Sequence, residues 1–261
     1  MPNFYADKVL ALHQYCISPW ADRLFGWATR MAGICQSMKN YHLRQDADGN
    51  PLIEDCQQHD FAGFYASAEA IRLFGAFYHN HVNIADRYVD YWAYVSKELS
   101  DNPYVIGFDP FNEPAPSAGS MQELFSVLFP GNFDNNQLNP LYERINAKYM
   151  EASPSNIMYF EPGQFPDALG GYVFHVGFQT PPGGRIASPN HVLNDHAYCC
   201  ALDPAVCADG EPAAGDAGRC LAWHRKKMGI REQDAERLGV PLLISEFGAC
   251  LDSQACVTEI T

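Results

Sequence analysis

Apolar runs that turn polar only at their C-terminal ends recur along this chain, and that habit constrains its fold more than any other feature. "SDNPYVIGF" reads as a turn and a strand, "NIMYF" as a second strand ending at Glu161, "HVLNDHAYCC" as a third, and "VPLLIS" as a fourth ending at Glu246. Helical stretches alternate with them. "LNPLYERINAKYMEAS" reads as an amphipathic helix and "REQDAERLG" as a short helix closed by Gly239. Upstream, Phe61, Phe64, Tyr65, Ala68, Ile71, Phe74 and Phe77, then Tyr88, Trp92, Val95 and Leu99, recur at spacings of three and four. This predicts one long helix or two in tandem, broken near "YHNHVN", with the aromatic stripe packed into the core. Alternating helices and apolar strands are what a parallel α/β architecture requires, open or barrelled. The chain is 47% hydrophobic over 261 residues, so residues 1–261 are expected to form a single domain.

The stretch "YVIGFDPFNEPAP" then poses a chemical question. Tyr104, Val105 and Ile106 suit a buried strand, whereas Asn112 and Glu113 are costly to bury unpaired. The polar pair therefore belongs where the strand meets solvent or ligand. "LLISEFG" repeats the arrangement, delivering Ser245 and Glu246 at a strand end. In a (β/α)8 barrel all such ends converge on one face, so residues far apart in sequence can meet there. Two carboxylates placed in this way are what glycoside hydrolysis needs, one protonating the leaving oxygen while the other attacks or activates water. Glu161 is a third carboxylate at a strand end; Pro162 and Gly163 after it favour a role in shape.

Charge and cysteine content narrow the partners. With 31 acidic and 17 basic residues the net charge is -14, which repels a phosphate backbone or an anionic surface, so nucleic acid is not an expected partner. A neutral sugar is compatible with it. Nine cysteines, several clustered, read as disulfides of an oxidising, extracellular or lysosome-like compartment, and the odd number leaves at least one thiol free or paired outside the chain. Spacing predicts the pairs Cys207–Cys220 and Cys250–Cys256. No CxxC occurs and no metal site is expected. "MPNFYADKVLALHQ" lacks a basic segment leading into a long apolar one, so no signal peptide is visible, and no run is long enough to span a membrane.

"NEP", "HAY" and "SEFG", in that order and each at a strand end, resemble glycoside hydrolase family 5, whose members are retaining (β/α)8 barrels. "YWAYVSKELSDNPYVIGFDPFNEP" and "YFEPGQFPDALGG" are most similar to the endoglycoceramidase branch, which cleaves between oligosaccharide and ceramide. The resemblance spans roughly residues 60 to 250. It implies that Glu113 is the general acid/base, with its pKa raised so that it is protonated when sugar arrives, and that Glu246 is the nucleophile. Asn112 would bond the sugar 2-hydroxyl, and His196 and Tyr198 would orient nucleophile and sugar from one face of a strand. "VLALHQYC" resembles the family's third strand, which ends His-Gln-Asp; His13 and Gln14 match and Tyr15 departs. No cofactor or metal is implied.

On this alignment the chain supplies about strands 3 to 7 and lacks strands 1, 2 and 8, an incomplete TIM barrel expected to aggregate and to show weak activity or none. The implied substrate is a glycolipid or an oligosaccharide. Alternatives are the glucosidase, cellulase or steryl-glucosidase activities of the same family, or a truncated chain that only binds glycan.

Overall fold

The computed structural model describes residues 16, 17, 19–31, 35–59, 61–163, 173–198, 207, 208, 211, 212 and 217–247. They divide into two compact units, one drawn from Met1–Tyr88 and Ala115–Leu128, the other from Val89–Pro114 and Phe129–Thr261.

The first unit is helical, with α1 (Pro19–Met31), α2 (Ile53–Cys56), α3 (Phe61–Tyr65) and α4 (Ala68–Tyr78). Cys16 and Cys35, Cα atoms 5.7 Å apart, form a disulfide that the clustering of cysteines did not point to. It joins a small core of Ile17, Ala21, Ala68 and Ala118. The break expected near "YHNHVN" falls where Asn80, Val82 and Asn83 take left-handed backbone angles, which no α-helix can continue through. Helix α5 (Ile84–Glu98) then carries the chain into the second unit, and α6 (Met121–Leu128) returns to the first.

The second unit holds the parallel sheet. Its strands are β1 (Gly107–Phe108), β2 (Ile157–Phe160), β3 (His191–Ala197) and β6 (Leu242–Phe247), hydrogen-bonded side by side in that order and all parallel. A two-residue antiparallel ladder, β4 (Cys207–Ala208) with β5 (Glu211–Pro212), lies between β3 and β6 in sequence. Helix α7 (Asn139–Ala152) precedes β2, and α8 (Ala217–Leu238) precedes β6. Parallel neighbours in sequence order, with helical crossovers, are consecutive strands of a (β/α)8 barrel. Among the described residues the sheet is thus a four-strand segment of such a barrel. Edge-to-face contacts among Tyr142, Phe160 and Phe178 fill the space between α7 and the sheet.

Two details depart from expectation. Tyr104 and Ile106 are 93% and 70% exposed instead of buried. Asn102 explains this, because its side chain and carbonyl accept the N–H groups of Tyr104 and Val105, and a turn held in that way delays the ladder until Gly107. Helix α8 is far longer than the short helix anticipated. Its inward face carries Lys227, Arg231 and Asp234, all buried, so the apolar periodicity that would announce it is missing. Of the expected cysteine pairs, Cys220 is disulfide-bonded, while the side chain of Cys207 and all of Cys250 and Cys256 lie outside the described residues. Among the described residues Cys56 is free.

Backbone crowding near the sheet yields a stability test. A Cβ on Gly177 would lie 1.9 Å from the carbonyl oxygen of Gly131, whereas one on Gly229, inside α8, would meet nothing within 4 Å. Gly177→Ala is expected to destabilise by about 1–3 kcal/mol, and Gly229→Ala to stabilise by about 0.5–1 kcal/mol. Denaturant midpoints of the two variants should move in opposite directions.

Candidate active site

The C-terminal ends of β1, β2, β3 and β6 bring four ionisable side chains together. Glu113 follows β1, Glu161 follows β2, and His196 and Glu246 lie near the ends of β3 and β6. A bulge fixes the alignment of the last two. Asp195 pairs with Ile244 but His196 pairs with Glu246, so Ser245 is skipped. That skip sets the carboxylate beside the imidazole.

His196 is the centre of the group, at 2% exposure. Its Nδ1 lies 2.9 Å from Glu113 Oε1, and its Nε2 lies 3.3 Å from Glu161 Oε1 and 3.5 Å from Glu246 Oε1. Burial is the largest single influence on the ring and opposes charge. Hydrogen bonds to Glu113 and Glu161, with the charges of Glu161 and Glu246, outweigh it and push His196 up to about 10. At neutral pH the ring is an imidazolium held by carboxylates on both sides.

Glu113 follows from this. The bond from His196 lowers its pKa, against the opposing effect of burial, so the expectation of a raised value is reversed. The proton lies on the imidazole, one hydrogen bond away. Glu113 also takes φ 44°, a left-handed angle uncommon for a side chain of its size, and its N–H donates to Glu161 Oε2 at 2.9 Å. Glu246 is 40% exposed and accepts from the Tyr198 hydroxyl at 2.8 Å. Burial first, then the bond to Glu246, pushes Tyr198 up to about 12, which keeps the phenol a donor.

One oxygen of Glu113, one nitrogen of His196 and one oxygen of Glu246 lie within 4.8 Å of one another. This separation is below the roughly 6.5–9.5 Å that an inverting enzyme leaves for a water between its carboxyl groups, and on the side of the about 5–5.5 Å of a retaining one.

Behind these groups lies a buried layer that sequence reasoning did not single out. Asn194 donates to Asp109 at 2.6 Å and to Glu161 at 3.4 Å. Asp195 bonds the His196 N–H at 2.7 Å and pairs with Arg231 and Lys227, and Lys227 also reaches the His196 carbonyl. The only sequence signal for this layer is an excess of Asn and Asp inside the strand "HVLNDHAY" and Asp109 inside "GFDPFNEP". Of the expected site residues, Glu113, His196, Tyr198 and Glu246 meet. Asn112 is exposed beside Glu113, and His13 and Gln14 lie outside the described residues.

Comparison with known proteins gives the family. Residues 57–261 match the cellulase family, glycosyl hydrolase family 5. The endoglycoceramidase of Cyanea nozakii is 29% identical over 150 residues, 58% of this chain and 28% of that protein. The endoglycoceramidase of Hydra vulgaris is 26% identical over 195 residues, 73% of this chain and 36% of that protein. The chain thus spans about a third of the length of these relatives. Among solved structures, the lactosyl-enzyme intermediate of endo-glycoceramidase II from Rhodococcus sp. aligns with TM-score 0.56 at 20% identity, over 76% of this chain and 40% of that one, a likeness of fold.

Proposed function

Because the chain belongs to glycosyl hydrolase family 5, the cellulase family, we propose that it carries the catalytic centre of a retaining β-glycosidase of the endoglycoceramidase type, acting on the bond between oligosaccharide and ceramide. The observation that carries the reading is the short separation of Glu113 and Glu246 around His196.

Glu246 attacks the anomeric carbon as the bond to the aglycone oxygen breaks. That oxygen takes a proton through Glu113, which passes it on from His196 Nδ1, 2.9 Å away, and is left as carboxylate. The result is a glycosyl ester on Glu246, a free aglycone hydroxyl and a neutral His196. Ester formation removes the Glu246 charge 3.5 Å from the ring, so the imidazolium gives up its proton as the proton is needed. Water then attacks the same carbon, its proton returns through Glu113 to His196, and Glu246 leaves as carboxylate. Tyr198 holds Glu246 in line, and Asn112, exposed beside Glu113, would meet the sugar 2-hydroxyl.

Curated endoglycoceramidases among the similar proteins support the ceramide aglycone. The Cys16–Cys35 disulfide and the bonded Cys220 support an extracellular or lysosome-like compartment. No helix among the described residues is long and apolar enough to cross a membrane. The test is hydrolysis by the full-length protein of a fluorescent ceramide-linked lactoside against a cellobioside. Release of intact lactose from the ceramide conjugate, well ahead of cellobioside cleavage, is expected. The reverse preference would assign a cellulase-like activity instead.

A further inference from the structure

Glu161 is fully buried, yet each of its oxygens is committed. Oε2 accepts the N–H of Glu113 at 2.9 Å, and Oε1 faces His196 Nε2 at 3.3 Å and the Asn194 amide at 3.4 Å. Its own N–H donates to the Tyr142 hydroxyl at 2.9 Å, which fixes the end of β2. Asn194 bridges it to Asp109, donating to the Asp109 carboxyl group at 2.6 Å as well.

We propose that Glu161 is a positioning residue of this site: it pins the backbone of Glu113 and, facing His196 Nε2, selects which proton of His196 can move. The inference rests on the retaining reading above and deepens it. Asp109 beside it is pushed up to about 7, by burial first and then by the charge of Glu161, against the opposing bond from Asn194. A bond from Glu161 to the Glu113 N–H holds a non-glycine residue at φ 44° that the chain would otherwise leave. Once Glu246 is esterified, Glu161 Oε1 remains as the acceptor facing His196 Nε2, at 3.3 Å. The Nε2 proton is therefore retained and the Nδ1 proton, facing Glu113, is the one released. Other groups facing His196 are Glu113, Glu246 and Tyr198 at the ring, Asp195 at its N–H and Lys227 at its carbonyl.

The experiment is nitrogen NMR of the histidine rings across a pH titration, on the full-length protein and the variants Glu161→Gln and Asp109→Asn, with pH profiles of kcat and KM. Gln keeps an acceptor for the Glu113 N–H but removes the charge. Glu161→Gln is expected to lower the His196 midpoint by about 1–3 pH units and to move the basic limb of kcat with it, leaving KM in place. Asp109→Asn keeps an acceptor for the Asn194 amide and is expected to leave the His196 midpoint where it is. A wild-type His196 midpoint near the ordinary 6.5, an unmoved midpoint in Glu161→Gln, or the same fall in Asp109→Asn would each overturn the proposal. The NMR readout needs no turnover. A wild type inactive on every glycoside, with the Glu161→Gln shift intact, would count against hydrolysis and still support the hold of Glu161 on His196.

Discussion

Glu246→Gln is expected to lower kcat at least about 10⁴-fold on any glycoside, a rise of about 5.5 kcal/mol in the barrier. The amide matches the carboxylate in shape and can still accept from Tyr198, which reaches Glu246 at 2.8 Å, so the site should remain assembled. What is lost is the attacking electron pair and with it the glycosyl ester. Two measurements check this: turnover, and intact-protein mass after exposure to a slow 2-deoxy-2-fluoro glycoside. The wild type should gain one glycosyl mass and the variant none. A variant that still becomes labelled at a different residue would move the nucleophile elsewhere.

Glu113→Ala should separate substrates by their leaving groups. A lipid alkoxide leaves poorly without a proton, so ceramide conjugates are expected to lose about 10²- to 10⁴-fold in kcat/KM. A dinitrophenolate leaves unaided, and its glycoside should form the ester at close to the wild-type rate, with hydrolysis of that ester becoming limiting. Equal losses on both substrates would argue that Glu113 orients sugar and does not transfer the proton. The second step offers a further check, because a small anion such as azide needs no base and should restore release from the ester.

Much of this centre is legible in sequence because its framework is written in the alphabet that sequence shows best. Apolar strands ending in Glu113, Glu161 and Glu246 announce both the parallel sheet and the carboxylates. What stays hidden is what depends on pairing in space. The lowered pKa of Glu113 follows from His196, a residue that "NEP" cannot reveal. The first half of α8 is disguised in part because Lys227 is buried by pairing with Asp195 and the His196 carbonyl, and a buried ion reads as a solvated one. Asp109 and Asn194 are invisible for the same reason, being polar groups inside a strand layer whose partners lie on other strands. Tyr104 and Ile106 err in the other direction, apolar residues exposed by a turn whose hydrogen bonds their own side chains do not announce.

The skipped residue between β3 and β6 has a bearing on how such a centre can be inherited or recombined. Side chains alternate along a strand, so the partner of His196 is set by parity, and Ser245 would take the place of Glu246 were the register unbroken. The two strands therefore form a matched pair, in which a length change in one is meaningful only against the other. A chimera that exchanges β6 alone for a strand without the extra residue would keep both His196 and a glutamate and misplace that glutamate by one step. Exchange of β3 through β6 as a block, with α8 between them, preserves the parity. Residue-by-residue comparison of related chains across this region is accordingly safe only when the skip is counted.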